Sequence, residues 1–149
     1  MRHQGFQGSA GRYSRTTESF LTAIGFQRRK WNEAISFVVN LNAVKMSEWE
    51  RSGTEQLVAP KRFDPNGLVY VGVRHRSARL HRPPTIDDDG WWTFSPNDNI
   101  AALTGEVLDT IETIGLPGLE RLVASLMRAD ESPLEGQQFV GYIRSAHEL

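Results

Sequence analysis

The chain contains no cysteine, and that absence removes disulfides, thiolate metal sites and a cysteine nucleophile together. It also lacks any apolar run approaching the roughly 18–20 residues that carry a helix across a bilayer. Residues 1–17 are rich in Gly, Ser, Arg and Gln and hold no apolar stretch of the secretory-signal kind. The apolar run that follows, residues 20–24, is interrupted by Thr22. Neither secretion nor a membrane partner is expected, and the cytoplasm is the default location. There is no overall excess of either charge, with 17 Lys and Arg against 18 Asp and Glu. Internal repeats are absent, as are a nucleophile elbow around any serine, a phosphate-binding loop and a dinucleotide spacing. No cofactor is implied.

What is present begins with a charge split. Residues 1–82 hold 14 Lys and Arg and 6 Asp and Glu, a net +8. Residues 83–149 hold 3 and 12, a net −9. Such a split supplies a basic face for an anionic partner, or two parts of one fold that neutralise each other. At 149 residues the chain is most economically one domain with a buried core. The expected layout is a disordered leader over residues 1–15 and a single domain over 16–149.

Hydrophobic spacing predicts the elements. Residues 17–24, with Phe20, Leu21 and Ile24 on one side, read as a short helix stopped by Gly25. In residues 34–45, Ile35, Phe37, Val39 and Leu41 alternate with Ser36, Val38, Asn40 and Asn42, the period of a strand with one face in the core. A hairpin at Asn32-Glu33 would pair that strand with residues 26–31. Residues 46–66 are poorly patterned, with a short helix predicted within 47–57 and a turn at Asp64-Pro65-Asn66-Gly67. Leu68-Val69-Tyr70-Val71-Gly72-Val73 reads as a second strand, and Trp91-Trp92-Thr93-Phe94 as a short edge strand. Ser95-Pro96-Asn97-Asp98 has the composition of a helix start. Ile100, Leu103, Val107, Ile111 and Ile114 then recur at helical spacing, with Leu108 widening the stripe. Gly115 is expected to end that helix and Pro117 to open another, buried along Leu119, Leu122, Val123 and Leu126. Residues 139–143 read as a closing strand or helical turn. The fold class is α+β, an antiparallel sheet of three or four strands packed against two or three helices.

The order of these pieces resembles a bacterial family, domain of unknown function 4304. The residues that carry the likeness are Gly25-Phe26 and the basic stretch after it, then Ile35-Ser36-Phe37-Val38-Val39-Asn40-Leu41-Asn42. Leu68 to Val73, the Trp91-Trp92 pair and Gly115-Leu116-Pro117-Gly118-Leu119-Glu120-Arg121 complete it. The likeness covers roughly residues 17–126. Asn42 departs from the glutamine expected after the first core strand, and the 46–66 connection is long. The resemblance implies a small α+β domain and brings no activity with it.

The candidate binding residues form one basic cluster, Arg74, His75, Arg76, Arg79, His81 and Arg82, with Trp92 as a nearby aromatic surface. Arginine forks suit phosphates and carboxylates, and aromatic faces suit bases. The plainer account is a solvated strand end balanced by Asp87, Asp88 and Asp89. Arg28-Arg29-Lys30-Trp31 is not a single patch if it is a strand, because Arg28 and Lys30 then face away from Arg29. His75, His81 and the three aspartates match no metal-ligand spacing. Gly115 to Gly118 reads as an interhelical corner rather than an anion site. No catalytic set stands out. The expected role is a non-enzymatic protein-interaction module of accessory or immunity type, the alternative being a nucleic-acid or anionic-ligand binder that uses residues 74–82.

Overall fold

The computed structural model describes residues 2–47, 75–80, 91–128 and 139–143. Beyond Ser47, the helix predicted within 47–57 lies outside the described residues, as do the turn at 64–67, the strand at 68–73, the acidic turn at 87–89 and residues 129–137.

Seven strands among the described residues form one sheet: β1 (Gln7–Ser9), β2 (Arg12–Thr16), β3 (Phe20–Trp31), β4 (Ala34–Lys45), β5 (His75–Leu80), β6 (Trp92–Phe94) and β7 (Phe139–Ile143). This exceeds the three or four expected. The order is β1-β2-β3-β4-β5-β7, and β6 pairs with β4 beside the far end of β5. All pairings are antiparallel except β5 with β7, which is parallel. The fold is α+β.

Much of the surplus strand comes from the N-terminal residues. These are not a loose leader: Ser9 pairs with Arg12 across a two-residue turn whose residues Ala10 and Gly11 both have positive φ (52° and 77°), the geometry that matches hairpin twist. Gly8 has φ 138°, and a Cβ there would lie 2.1 Å from the Arg12 carbonyl oxygen, so glycine is required. Phe6, just ahead of β1, is 1% exposed and belongs to the core.

Residues 17–24 are likewise not helical. Leu21, Thr22, Ala23, Ile24 and Gly25 are all buried in β3 between β2 and β4. Burial on both faces erases the alternation that marks a half-exposed strand, leaving apolar spacing that mimics a helix. The predicted hairpin at Asn32-Glu33 is present: Trp31 pairs with Ala34, and Asn32 takes φ 53°, a conformation asparagine tolerates. β4 follows the predicted bounds.

One long helical stretch, residues 100–128, crosses one face of the sheet. It consists of α1 (Ile100–Thr110), a π turn (Ile111–Gly115) and α2 (Leu116–Arg128). The start is set by Asn99, whose Oδ1 accepts from the Ala102 N–H at 3.1 Å. Ser95 instead closes a turn, donating its N–H to Asp98 Oδ2 at 2.7 Å. Gly115 does not end the helix. The Leu116 N–H reaches back to the Ile111 carbonyl, a wide turn directly ahead of Pro117. Widening there moves the carbonyl that the proline ring would otherwise strike. Gly115 serves packing, since a Cβ on it would sit 3.2 Å from Leu80 Cδ2.

The core lies between this helix and the odd-numbered side of β4. Val39, Leu41 and Ala43 join Ile24, Ala78, Leu80, Trp92, Val107, Ile111, Leu119, Leu122 and Leu126 in one cluster. Ile100 and Leu108, predicted in the stripe, stay 50% and 45% exposed.

Candidate functional site

The even-numbered side of β4 points away from the helix. Its positions Ser36, Val38, Asn40 and Asn42 are buried, three of them polar. Buried amides need partners, and Asn40 finds them on both sides of its strand. Its Nδ2 donates to Gln27 Oε1 of β3 at 3.2 Å, and its Oδ1 accepts from Arg79 Nε of β5 at 3.3 Å. Arg79 Nη2 also donates to Gln27 Oε1, at 3.4 Å. Three neighbouring strands therefore hold one arginine in a fixed orientation. Register makes this possible, because Arg12, Gly25, Asn40 and Arg79 lie in a single row across β2, β3, β4 and β5.

Trp91 completes the arrangement. It directly precedes β6, so it faces the opposite way from Trp92. The Arg29 guanidinium carbon stands 4.2 Å from the Trp91 ring centroid and that of Arg79 stands 5.9 Å away. Cation–π contacts at such sites contribute about 0.5–2 kcal/mol each. Arg29 is exposed, while Arg79 and Trp91 are half-buried. Beside them Ser36 and Thr93 share a hydroxyl hydrogen bond of 2.9 Å. Gln27, Arg29, Asn40, Arg79 and Trp91 thus form a cationic, aromatic and amide surface. It offers donors and a ring, with no nucleophile and no acid–base pair among the five.

Of the expected basic cluster, only part falls within the described residues. Arg74, His81 and Arg82 lie outside the described residues. His75 and Arg76 open β5, opposite Val44 and Ala43. Strand alternation puts positions 76 and 79 on opposite faces of β5. Arg79 alone of the cluster is placed in the surface just described. Trp92, named as an aromatic surface, is fully buried. It stacks on Phe37 at 5.7 Å and donates its indole N–H to Glu106 Oε1 at 3.1 Å. The partly solvent-facing member of the pair is Trp91. Register puts Arg29 opposite Ser36 and its neighbours Arg28 and Lys30 opposite Phe37 and Ile35, on the other face, as strand geometry requires. Gln27 and Asn40 escaped notice in the sequence, although a polar residue inside Val38-Val39-Asn40-Leu41 was the available signal.

The charge split has a structural counterpart. The seven strands contain eight Lys and Arg and not one Asp or Glu. Residues 100–128 carry four acids, Glu106, Asp109, Glu112 and Glu120, against Arg121 and Arg128. The sheet is the basic layer and the helix the acidic one.

A family model described as domain of unknown function (DUF4304) matches residues 1–121. The chain belongs to this family. The DUF4304 match starts at residue 1 and so takes in the N-terminal hairpin, which the resemblance over residues 17–126 left out. It also includes every residue of the Gln27–Asn40–Arg79–Trp91 arrangement. No curated protein and no solved structure matches the chain. Among the described residues no group of His, Asp and Glu is placed to hold a metal ion, and no helix is long and apolar enough to cross a membrane.

Proposed function

We propose that this DUF4304 protein is a non-enzymatic cytoplasmic binding domain of accessory or immunity type, which covers another protein with the surface around Trp91, Arg29 and Thr93. The observation that supports this reading is the Arg29–Trp91–Arg79 stack, whose arginines sit on β3 and β5 and whose tryptophan directly precedes β6. Tryptophan and arginine dominate the energetic centres of protein interfaces. Here both are held in place before any partner arrives, which lowers the ordering cost of association. The test is site-specific photocrosslinking in cells, with p-benzoylphenylalanine in place of Thr93 beside the stack or of Thr104 on α1. Both threonines are exposed. A discrete protein adduct from position 93 that is missing from position 104 is the expected result. No adduct, or the same products from both positions, would count against the reading.

A second reading, binding of nucleic acid or another anionic ligand through residues 74–82, draws support from Arg79 lying beside an aromatic ring. It requires affinity that falls steeply with salt and is lost in the double variant Arg76→Glu, Arg79→Glu.

A further inference from the structure

We infer that the helix-side face of the β3–β4 hairpin is a second interaction surface, which takes an extended protein segment of alternating acidic and apolar residues. It lies on the opposite side of the sheet from Trp91 and stands independently of the reading above.

The sheet emerges from its helical cover toward this hairpin. Along β4, Ala43, Leu41 and Val39 are 0% exposed, whereas Phe37 and Ile35 on the same face are partly exposed. Along β3 the gradient runs from buried Ile24 through partly exposed Phe26 to Arg28 and Lys30, which are exposed. Register joins the two series, since Phe26, Arg28 and Lys30 pair with Val39, Phe37 and Ile35. Phe94 of β6 lies opposite Ile35 and completes the face.

Two features of this face indicate its occupant. One is a line of aromatic rings. Ring centroids are 6.4 Å apart for Tyr13 and Phe26, 6.0 Å for Phe26 and Phe37, and 6.3 Å for Phe37 and Phe94. All four residues are partly exposed. An aromatic surface that continues over four strands differs from the single exposed apolar residues of an ordinary protein exterior. The other feature is a pair of cations. Arg28 and Lys30 make no hydrogen bond or ion pair among the described residues. They stand two residues apart on one strand, about 6.5 Å, which is also the spacing of alternate side chains in any extended chain. A segment laid over β4 therefore turns its alternate carboxylates toward Arg28 and Lys30, and the apolar side chains between them toward Phe37 and Phe94. Complementary charge of this kind fixes register and orientation.

The same face favours a protein over a nucleic acid. Base stacking needs open ring faces, and Phe37 is already stacked on Trp92 at 5.7 Å with 14° between the planes. Proteins that grip a phosphate backbone carry a strong basic excess, whereas this chain has net charge −1 and a pI near 6.4.

The experiment measures binding to the full chain by fluorescence anisotropy at low and moderate salt. The probes are a labelled nonapeptide of alternating aspartate and leucine, its counterpart with asparagine for aspartate, its counterpart with serine for leucine, and a deca-thymidylate strand. The expected result is salt-sensitive binding of the aspartate–leucine peptide, tighter than of the other three. Arg28→Glu and Lys30→Glu should each weaken it about tenfold. Arg128→Glu, the same charge reversal at an exposed position on α2, should weaken it less than about twofold. All three positions are exposed, and urea unfolding verifies that the variants fold. No binding of the aspartate–leucine peptide overturns the inference, and so does equal binding of the asparagine or serine counterpart. Tighter binding of deca-thymidylate overturns the choice of a protein. A loss in Arg128→Glu as large as in Arg28→Glu and Lys30→Glu overturns the assignment to this face. The adduct from position 93, on the other side of the sheet, is decided separately.

Discussion

The buried indole of Trp92 donates its N–H to Glu106 Oε1 at 3.1 Å, joining the short strand β6 to the middle of α1. The helix and the sheet face that it covers are thereby joined by a polar contact beside the apolar core. An indole N–H buried without an acceptor costs about 1–3 kcal/mol. Glu106→Ala is therefore expected to lower unfolding free energy by about that amount. Glu106→Gln, which keeps an amide oxygen within reach, should lower it by less. Urea denaturation of both variants checks the order, and equal stability of Glu106→Ala and wild type would refute it.

The N-terminal hairpin is expected to unfold with the rest of the molecule. Phe6 is 1% exposed and sits in the same cluster as Leu41 and Ile111. Removing a buried phenylalanine ring costs about 3–5 kcal/mol when the cavity does not collapse. Phe6→Ala should show a loss of that order as a shift of a single urea transition. An early, separate transition, or a loss below about 1 kcal/mol, would mean that the hairpin peels away from the core.

Legibility in the sequence followed exposure. β4 and the turn at Asn32-Glu33 were readable because Ile35 and Phe37 still alternate with polar neighbours, and because asparagine tolerates a positive φ. β3 was misread because both of its faces are buried, so Leu21 and Ile24 carry no period-two signature. The hairpin at 7–16 was missed because its turn is Ala10-Gly11 rather than a familiar Asn-Gly, and because small residues such as Gly8 and Ser9 resemble linker composition. The candidate site was legible only in its parts. Arg79 was visible as one cation in a run, and Trp91 as one of two tryptophans. Their meeting depends on the pairing of Asn40 with Arg79 across thirty-nine positions of chain, which no local pattern encodes.

Two glycines of the long helix should respond to alanine in opposite directions. Gly105 in α1 is exposed, and a Cβ there meets nothing within 4 Å. Gly105→Ala should stabilise by about 0.5–1 kcal/mol through helix propensity alone. Gly115 is buried, and its Cβ would lie 3.2 Å from Leu80 Cδ2, in a side chain that is 0% exposed. Overpacking of a core costs about 1–3 kcal/mol, more than the propensity gain. Gly115→Ala should therefore destabilise. Thermal unfolding of the pair decides the matter, and stabilisation of both would show that Leu80 can move aside.

Arg121 gives the last prediction. It lies on α2 between the buried residues Leu119 and Leu122, and its Nε and Nη2 are shielded from solvent with no hydrogen-bond partner among the described residues. Unpaired buried donors oppose folding, because in the unfolded chain water satisfies them. The aliphatic stem of the same side chain works the other way, covering apolar surface. Replacing arginine by methionine keeps most of the stem and removes the donors. Arg121→Met is thus expected to raise stability by about 1 kcal/mol. Arg121→Ala, which discards the stem too, should gain less or lose. Chemical denaturation separates the two terms. Destabilisation by methionine as large as that by alanine would show that the guanidinium itself contributes to the fold.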